Sequence, residues 1–231
     1  MTELKLLAFD TSTETMSIAV ASGEQVWRRS GRGGPLASSG LIPAIQALLA
    51  EAGLRLRDLD AIAFGRGPGS FTGLRTACSV AQGLAFGAAL PVLGIDTLMA
   101  VAEQARAQAG CTRVLAVLDA RMDQVYAGAY EFESGAWSQR GEAILDAPEA
   151  LRLASGWTLA GNAFAAYAQR LPPGAHVIAL PDAGALLRLA PQLLSSGHAV
   201  PAERALPLYI RDKVAQTTDE RAALRAAAVP K

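Results

Sequence analysis

The chain has 231 residues, of which 51% are hydrophobic, so it can bury a full core without disulfides or structural metal ions. Its 21 basic and 21 acidic residues balance, which excludes the basic field of a protein that grips nucleic acid alone; contact with RNA would need a partner. Two cysteines, and no apolar stretch near the ~20 residues of a membrane span, predict a soluble protein of the cytoplasm.

The first hundred residues begin with three short apolar runs, which predict strands joined as an antiparallel meander. These runs lie at residues 4–9, 16–20 and 25–29. A helix is predicted over residues 41–52, capped by Ser39, because its large apolar residues recur at the spacing of one helical face. A strand at residues 59–64 then leads into a glycine-rich turn and a second helix, residues 73–87.

The rest of the chain predicts a second half of similar composition, and hence an α/β fold with mixed sheets flanked by helices. Strands are expected at residues 91–95, 114–118, 125–132 and 142–145, and helices at residues 98–109, 148–153 and 185–194. The chain divides into an N-terminal lobe, residues 1–100, and a C-terminal lobe, residues 101–214, whose last helix could pack back on the first lobe. Residues 215–231 are predicted to be a flexible tail.

A polar turn between the first two predicted strands is the first candidate site. It comprises Asp10, Thr11, Ser12 and Thr13, whose backbone N–H groups could cradle a phosphate while the carboxylate holds a hydrated metal ion. The alternative is a turn stabilised by its own hydroxyl groups. We favour the alternative, because small polar residues are ordinary turn formers and a Cβ at Ser12 would crowd a phosphate.

The second candidate is the glycine-rich turn. Its residues are Gly65, Arg66, Gly67, Pro68, Gly69, Ser70, Phe71, Thr72, Gly73, Leu74 and Arg75. It is not a Walker A loop, since no Lys-Ser or Lys-Thr pair follows the glycines. Free N–H groups at the helix start could receive an anion or a carbonyl, with Ser70 or Thr72 as the cap. The residues alone leave a functional and a structural interpretation equally open.

The two helices of the first half carry residues that predict a surface for another helix. Small residues recur every four positions along the second helix and form a nearly flat face. Packing within the chain is the ordinary explanation, but Ile42 lies outside the main apolar row of the first helix, so both helices together could present half of a four-helix interface. The predicted interface comprises Leu41, Ile42, Ile45, Leu48, Leu49, Gly73, Leu74, Ala77, Ala81 and Ala85. An Ala77→Arg variant is expected to abolish complex formation while leaving the monomer folded.

Groups for catalysis or metal binding are scarce, so we predict neither a catalytic residue nor a metal site. His176 and His198 have no carboxylate or cysteine at ligand spacing, and neither cysteine has the local setting of a nucleophile. Asp119 and Arg121, between two strands of the second half, are expected to pair across a turn that defines the fold.

Five stretches of the chain resemble the bacterial TsaB family, formerly called YeaZ, which belongs to the machinery that makes threonylcarbamoyladenosine in tRNA. They are LLAFDTSTETMSIAV, AIAFGRGPGSFTGLRTACSVAQGLAFG, PVLGIDTL, VLAVLDARMDQVYAG and PLYIRD, and they span almost the whole chain. The GRGPGSFTGLR and LDAR elements are specific enough that chance does not explain the resemblance. One departure is GPLASS at residues 34–39, where family members often have a histidine followed by polar residues.

The resemblance implies a two-lobed fold of the actin-like ATPase superfamily, as in sugar kinases and Hsp70. It implies a non-catalytic partner of the paralogue TsaD, which transfers the threonylcarbamoyl group to the adenosine beside the anticodon, with TsaE as a further, ATP-binding partner. ATP or ADP and metal are then expected on those subunits, and tRNA is reached only through the complex. The two N-lobe helices would form a four-helix contact, either with TsaD or in a homodimer.

Two alternatives remain as hypotheses. A phosphotransferase of the same superfamily would use Asp10 as ligand of metal-bound water, but Ser12 counts against it. A metalloprotease would need metal ligands that the sequence does not supply.

Overall fold

The computed structural model of the protein describes residues 3–211, and its ten strands form two sheets of five. The first sheet contains β1 (Lys5–Asp10), β2 (Thr15–Ser22), β3 (Gln25–Arg32), β4 (Ala61–Gly67) and β5 (Val92–Asp96). The second sheet contains β6 (Arg113–Arg121), β7 (Gln124–Glu133), β8 (Ala136–Asp146), β9 (Thr158–Gly161) and β10 (His176–Ile178). Each sheet combines antiparallel and parallel pairs, which confirms the predicted α/β class with mixed sheets.

The two sheets have the same strand order, β3-β2-β1-β4-β5 in the first and β8-β7-β6-β9-β10 in the second. In each, an antiparallel meander of three strands continues into two parallel strands. The molecule therefore contains an internal structural repeat, in which the two lobes share one sheet topology. Because β1 and β6 occupy equivalent positions, the turns that follow them are equivalent too, and both line one cleft between the lobes.

Five α-helices cover the sheets in the described part of the chain. They are α1 (Ala37–Glu51), α2 (Phe71–Ala88), α3 (Thr97–Ala109), α4 (Phe164–Tyr167) and α5 (Ala183–Ser195). Within residues 3–211 no helix is both long and apolar enough to cross a membrane. In the second lobe the counterparts of α1 and α2 are a single 3-10 turn, Pro148–Ala150, and the four residues of α4.

The start of α1 differs from the prediction. The helix begins at Ala37, four residues before the predicted position 41, and no side chain caps it. Ser39 therefore lies inside the first turn, where its hydroxyl donates to the carbonyl of Leu36 at 3.2 Å. The prediction of Ser39 as the cap is wrong.

The second lobe differs most from the sequence prediction. The helix predicted at residues 148–153 is one 3-10 turn, because the chain becomes extended at Leu151, whose side chain enters the core. The strands β9 and β10 and the helix α4 were not predicted, since segments of three or four residues show no periodicity. Strand β8 begins at Ala136 rather than position 142, because its first half is an exposed and polar edge.

The core consists of layers on both faces of each sheet, and on the second sheet one of these layers is small and includes Leu151, Ala163 and Tyr167. Helices α1 and α2 pack on one face of the first sheet, and α5 packs on its other face together with part of α3. Helix α3 also packs on the second sheet. Thus α5 follows the second sheet in sequence but completes the core of the first lobe. The predicted flexible tail, residues 215–231, lies outside the described residues.

A buried carboxylate joins α3, α5 and the second sheet. Glu103, 2% exposed, accepts hydrogen bonds from Arg106, from Arg188 of α5 at 2.6 Å and from the indole of Trp137 at 2.9 Å. Burial opposes ionisation, but the three donors outweigh it and lower the pKa of Glu103 below its ordinary value. The ionised form therefore holds the two lobes together.

Candidate functional site

A cleft of about 760 Å³ lies between the two lobes. Its walls come from the turn after β1, the glycine-rich turn, the turn after β6, and the segment that contains Leu208, Tyr209 and Arg211. All four belong to stretches that carry the family resemblance. The sequence motifs therefore converge on one place, although they are up to about 200 residues apart in the chain.

The turn after β1 forms the floor of the cleft, and its polar groups bond to one another. Asp10 is fully buried, and its Oδ1 accepts from the N–H of Ser12 at 2.9 Å and from the Ser12 hydroxyl at 2.6 Å. The Thr11 hydroxyl donates to the carbonyl of Gly73 at 2.7 Å, and the Thr13 hydroxyl accepts from the N–H of Thr15 at 3.2 Å. These bonds favour the structural interpretation of the turn over a phosphate cradle, so the phosphotransferase alternative gains no support from it.

The second carboxylate oxygen of Asp10 is the exception. Oδ2 is buried and has no hydrogen-bond donor among the described residues. Burial raises the pKa of Asp10 from 3.8 to about 6, against the lowering effect of the Ser12 hydrogen bonds and with a smaller raising effect from Asp182. Near neutral pH the buried carboxylate of Asp10, which does not itself line the cleft, is thus costly to ionise.

The glycines of the glycine-rich turn are explained by the chain segments that press against it. A Cβ at Gly65 would overlap Oδ2 of Asp10, and a Cβ at Gly73 would overlap the carbonyl oxygen of Thr11. A Cβ at Gly69 would likewise overlap the carbonyl oxygen of Ser12, and a Cβ at Gly67 would overlap that of Leu208. Gly67 also has φ +123°, a conformation that side chains other than glycine rarely adopt. Each glycine thus marks a close approach of another motif.

The two arginines of this turn have partners inside the chain. Arg66 donates from Nε to Oδ1 of Asp96 at 2.5 Å, and its carbonyl accepts from the N–H of Leu208 at 2.7 Å. The guanidinium of Arg75 lies 3.9 Å from the centre of the Phe71 ring, and its Nε donates to the Tyr209 hydroxyl at 3.2 Å. Arg66 therefore fastens the turn to β5, whereas Arg75 stays on the surface of α2.

One of the two residues proposed as the cap of α2 occupies the cap position. Ser70 is the N-cap residue, as predicted, but its side chain makes no capping hydrogen bond. Thr72 is already inside the helix, where its carbonyl accepts from the hydroxyl of Thr76 at 3.0 Å. The alternative prediction, Thr72 as the cap, is wrong.

The segment from Ala205 to Arg211, here called the strap, runs from the first lobe to the second. Near its start, the carbonyl of Ala205 accepts from Cys78 and Gln82 of α2. At its end, Arg211 donates to the carbonyl of Ala120 at 2.9 Å and to the sulfur of Met122 at 3.0 Å. The strap thus forms one wall of the cleft and connects both lobes.

The turn after β6 faces the first lobe across the cleft. The carboxylate of Asp119 accepts from the N–H of Arg121 at 2.8 Å and lies 3.6 Å from its guanidinium, which confirms the predicted pair. The Arg121 guanidinium also pairs with Glu14 of the first lobe. The sequence analysis missed two further partners of Asp119. Asn162 accepts through Oδ1 from the N–H of Asp119, and the hydroxyl of Tyr167 donates to the Asp119 carboxylate. Tyr167 belongs to the short helix α4, and Asn162 lies in the turn between β9 and α4, so no periodic pattern marks either residue.

The structure corrects which residues of α1 and α2 could meet a partner. Nine of the ten predicted interface residues are buried within the protein itself, and most of them belong to the core of the first lobe. They are Leu41, Ile45, Leu48, Leu49, Gly73, Leu74, Ala77, Ala81 and Ala85. Ile42, at 40%, is the exposed member. Because Ala77 is fully buried, an Ala77→Arg variant would break the monomer, contrary to the prediction.

The opposite face of the two helices is the surface that solvent reaches, here called the outer face. Its exposed residues are Ser38, Ser39, Ile42, Gln46, Ala47, Thr72, Arg75, Ser79, Gly83, Phe86 and Gly87. Phe86 is 81% exposed, and a Cβ built on Gly83 or Gly87 would meet no atom within 4 Å. On α2 the outer residues Arg75, Ser79, Gly83 and Gly87 repeat every four positions, as the inner alanine row does. The sequence alone therefore could not show which of the two rows faces solvent.

Neither histidine contributes to the cleft. The ring of His176 contacts that of Phe164, with 4.9 Å between the ring centres, and His198 lies on the surface. Across residues 3–211 no three side chains of His, Cys, Asp or Glu are grouped so as to hold a metal ion. Cys78 and Cys111 are not bonded to each other.

Comparison with known proteins gives consistent similarities over most of the chain. A family model described as "TsaD: tRNA N6-adenosine threonylcarbamoyltransferase" matches residues 37–227. The tRNA threonylcarbamoyladenosine biosynthesis protein TsaB of Escherichia coli (strain K12) is 37% identical over 92% of this chain and 96% of that protein. The protein of that name from Haemophilus influenzae is 36% identical over 93% and 96%. The solved structure of YeaZ from Pseudomonas aeruginosa, 40% identical, covers 89% of this chain and 99% of its own with a TM-score of 0.83.

Proposed function

Because the chain belongs to the TsaB (YeaZ) family of tRNA threonylcarbamoyladenosine biosynthesis proteins, with the two-lobed actin-like fold, we propose that it is a non-catalytic subunit that binds and stabilises the catalytic paralogue TsaD. TsaE is the further partner in this proposal. ATP or ADP and metal would reside on those subunits, and tRNA would be bound through the complex in the cytoplasm. When alone, the chain would form a homodimer through the same surface.

The observation that carries the proposal is the outer face of α1 and α2. Glycine in a helix interior costs about 1 kcal/mol relative to alanine, and for Gly83 and Gly87 no neighbouring atom of the chain compensates that cost. Small residues allow another helix to approach closely, and the exposed Phe86 and Ile42 supply apolar area beside them. A face of this kind fits a helical partner.

The reduced second lobe supports the same conclusion. Helices α1 and α2 have 15 and 18 residues, whereas their counterparts in the second sheet are one 3-10 turn and a four-residue helix. Since the second lobe folds with such short connections, the sheet itself does not require long helices. Their length in the first lobe is consistent with a role in docking.

The test is a Ser79→Arg variant, which places a long charged side chain in the middle of the outer face. It should keep the unfolding temperature of the unchanged protein but fail to co-purify with TsaD. In cells depleted of the native protein, mass analysis of tRNA nucleosides should show that it does not restore threonylcarbamoyladenosine.

A Gln139→Arg variant is the matched control, because Gln139 is equally exposed but lies on β8 of the other lobe. It should behave like the unchanged protein in both assays. Normal threonylcarbamoyladenosine in depleted cells would refute the proposed function, whereas normal binding by Ser79→Arg would refute only the assignment of the surface.

A further inference from the structure

Arg75 differs in its surroundings from most arginines of this protein. Nine others form ion pairs with carboxylates, among them Arg29, Arg66 and Arg188. Arg75 has no carboxylate within ion-pair distance in residues 3–211, and both terminal nitrogens of its guanidinium lack a hydrogen-bond partner there. Among the described residues it is thus an exposed cation whose charge is not compensated.

The side chain of Arg75 is nevertheless held in one orientation. Its guanidinium stacks on Phe71 at 3.9 Å, and its Nε donates to the hydroxyl of Tyr209 in the strap. The Tyr209 ring in turn contacts Phe71, with 5.5 Å between the ring centres. Two aromatic rings from different parts of the chain thus fix the cation before any partner arrives, which removes part of the entropic cost of binding.

The position of Arg75 does not favour the stability of α2. It lies in the second turn from the N-terminus of the helix, whereas the helix dipole favours cations only in the last turn. Neither α1 nor α2 has an acidic residue in its first turn to offset this charge. The groove between the two helices beside Arg75 is otherwise uncharged, lined by Ser38, Thr72, Thr76, Ser79 and Val80.

We propose that Arg75 is the specificity residue of the outer face, and that it binds a carboxylate of the partner helix that enters the groove between α1 and α2. This inference rests on the proposed function. An arginine fixed by aromatic rings with both terminal nitrogens free is suited to a two-bond contact with a carboxylate, and such arginines are enriched among the residues that dominate interface affinity.

The occupant is the catalytic paralogue rather than a second copy of this chain. In α1 and α2 the only charged side chains are Arg75 and Glu51. Glu51 is already paired with Arg29 at 3.4 Å, so a second copy would offer Arg75 a carboxylate that has its own cation. A partner with an unpaired Asp or Glu on its docking helix complements the face better.

The test compares the full-length chain with an Arg75→Gln variant in titrations against TsaD at several salt concentrations. The dissociation constant should rise at least tenfold in the variant, and most of its dependence on salt should be lost, because the charge pair is removed. A Tyr209→Phe variant, which loses the acceptor of Nε but keeps the ring, should show a smaller rise. Arg152→Gln, an exposed arginine of the second lobe, is the control and should bind unchanged.

An Arg75→Lys variant identifies the partner residue. Lysine keeps the charge and can be joined to a nearby carboxylate by a zero-length carbodiimide, so mass spectrometry of the complex should find position 75 linked to an Asp or Glu of TsaD. A link to a second copy of this chain would overturn the inference, as would equal affinity and equal salt dependence of the Gln variant. If the unchanged chain does not bind TsaD at all, the proposed function fails together with the inference.

Discussion

At the scale of one residue, Asp10 keeps the carboxylate expected in a possible phosphate turn, but the chain around it encloses that carboxylate. Its Oδ1 is bonded to Ser12, and its Oδ2 lies against Gly65 without a donor among the described residues. A metal-binding carboxylate needs an open side, but here the chain itself closes that side. The residue that was predicted as part of a possible phosphate turn is therefore an internal group of the cleft floor.

The titration of Asp10 gives a pH prediction. Its pKa is raised from 3.8 to about 6 on folding, so the folded state holds a proton that the unfolded chain releases, and stability falls as the pH rises through this window. From the usual 1.36 kcal/mol for each pKa unit, the loss amounts to about 3 kcal/mol above pH 6. An Asp10→Asn variant should lack this loss.

Urea unfolding at pH 4.5 and 7.5 tests the prediction for Asp10→Asn. The free energy of unfolding of Asp10→Asn relative to the unchanged protein should be higher at pH 7.5 than at pH 4.5, by about 2–3 kcal/mol. A constant difference for Asp10→Asn would show that Asp10 is ionised in the folded protein.

At the scale of the element, α2 has two small-residue faces with opposite consequences. On the inner face, a methyl group at Gly73 would overlap the backbone of Thr11, which cannot move without the turn. On the outer face, a methyl group at Gly83 meets nothing. The same substitution in the same helix therefore separates packing within the chain from space kept for a partner.

Gly73→Ala should lower the free energy of unfolding by about 1–3 kcal/mol through overpacking, whereas Gly83→Ala should raise it by about 0.5–1 kcal/mol. Thermal unfolding of the two variants measures this. Gly83→Ala should also weaken binding to TsaD, because the added methyl occupies the partner's space. A destabilised Gly83→Ala would mean that Gly83 has an intramolecular role.

The same helix shows how far the sequence could be read. The spacing of Ala77, Ala81 and Ala85 correctly predicted a helix and a close-packed row, but the spacing does not say which neighbour packs there. The neighbour is decided by the tertiary fold. Because α2 follows β4 directly and lies on the first sheet, the alanine row packs against that sheet. In the second lobe, β9 and α4 gave no periodic signal because four residues do not complete one. Tertiary packing, rather than local preference, decides such short segments.

The candidate site was predictable in its parts but not in its assembly. The turns at Asp10, Gly65 and Asp119 were each recognised from turn residues and spacing. That the strap would press on Gly67 and bring Tyr209 to Arg75 depends on contacts between residues more than 130 positions apart, for which a single sequence holds no signal.

At the scale of the whole molecule, Glu103 is the junction between the lobes. Its three donors come from α3, α5 and β8, so its neutralisation would leave two half-buried arginines and an indole without a charged acceptor. A Glu103→Gln variant should lose about 1.5–3 kcal/mol of stability, because hydrogen bonds to a buried charge are weakened while the arginines remain partly solvated. Differential scanning calorimetry measures the loss.

The contribution of Glu103 to the stability of the fold depends on pH with the opposite sign to that of Asp10. Because folding lowers the pKa of Glu103, its contribution is complete above pH 4.5 and disappears as the pH falls below that value. The deficit of Glu103→Gln should therefore shrink in acid. As a control, Glu51→Gln, which breaks an exposed pair with Arg29, should change stability by less than about 1 kcal/mol.

The return of α5 to the first sheet has a consequence for how the protein is made. Synthesis proceeds from the N-terminus, and domains ordinarily fold in that order as they leave the ribosome. Here β1 and β4 keep an apolar face uncovered until Leu186 and Leu189 of α5 have emerged, and the strap follows later still. The first lobe therefore cannot complete its core until the whole second sheet, which precedes α5 in the sequence, has been synthesised.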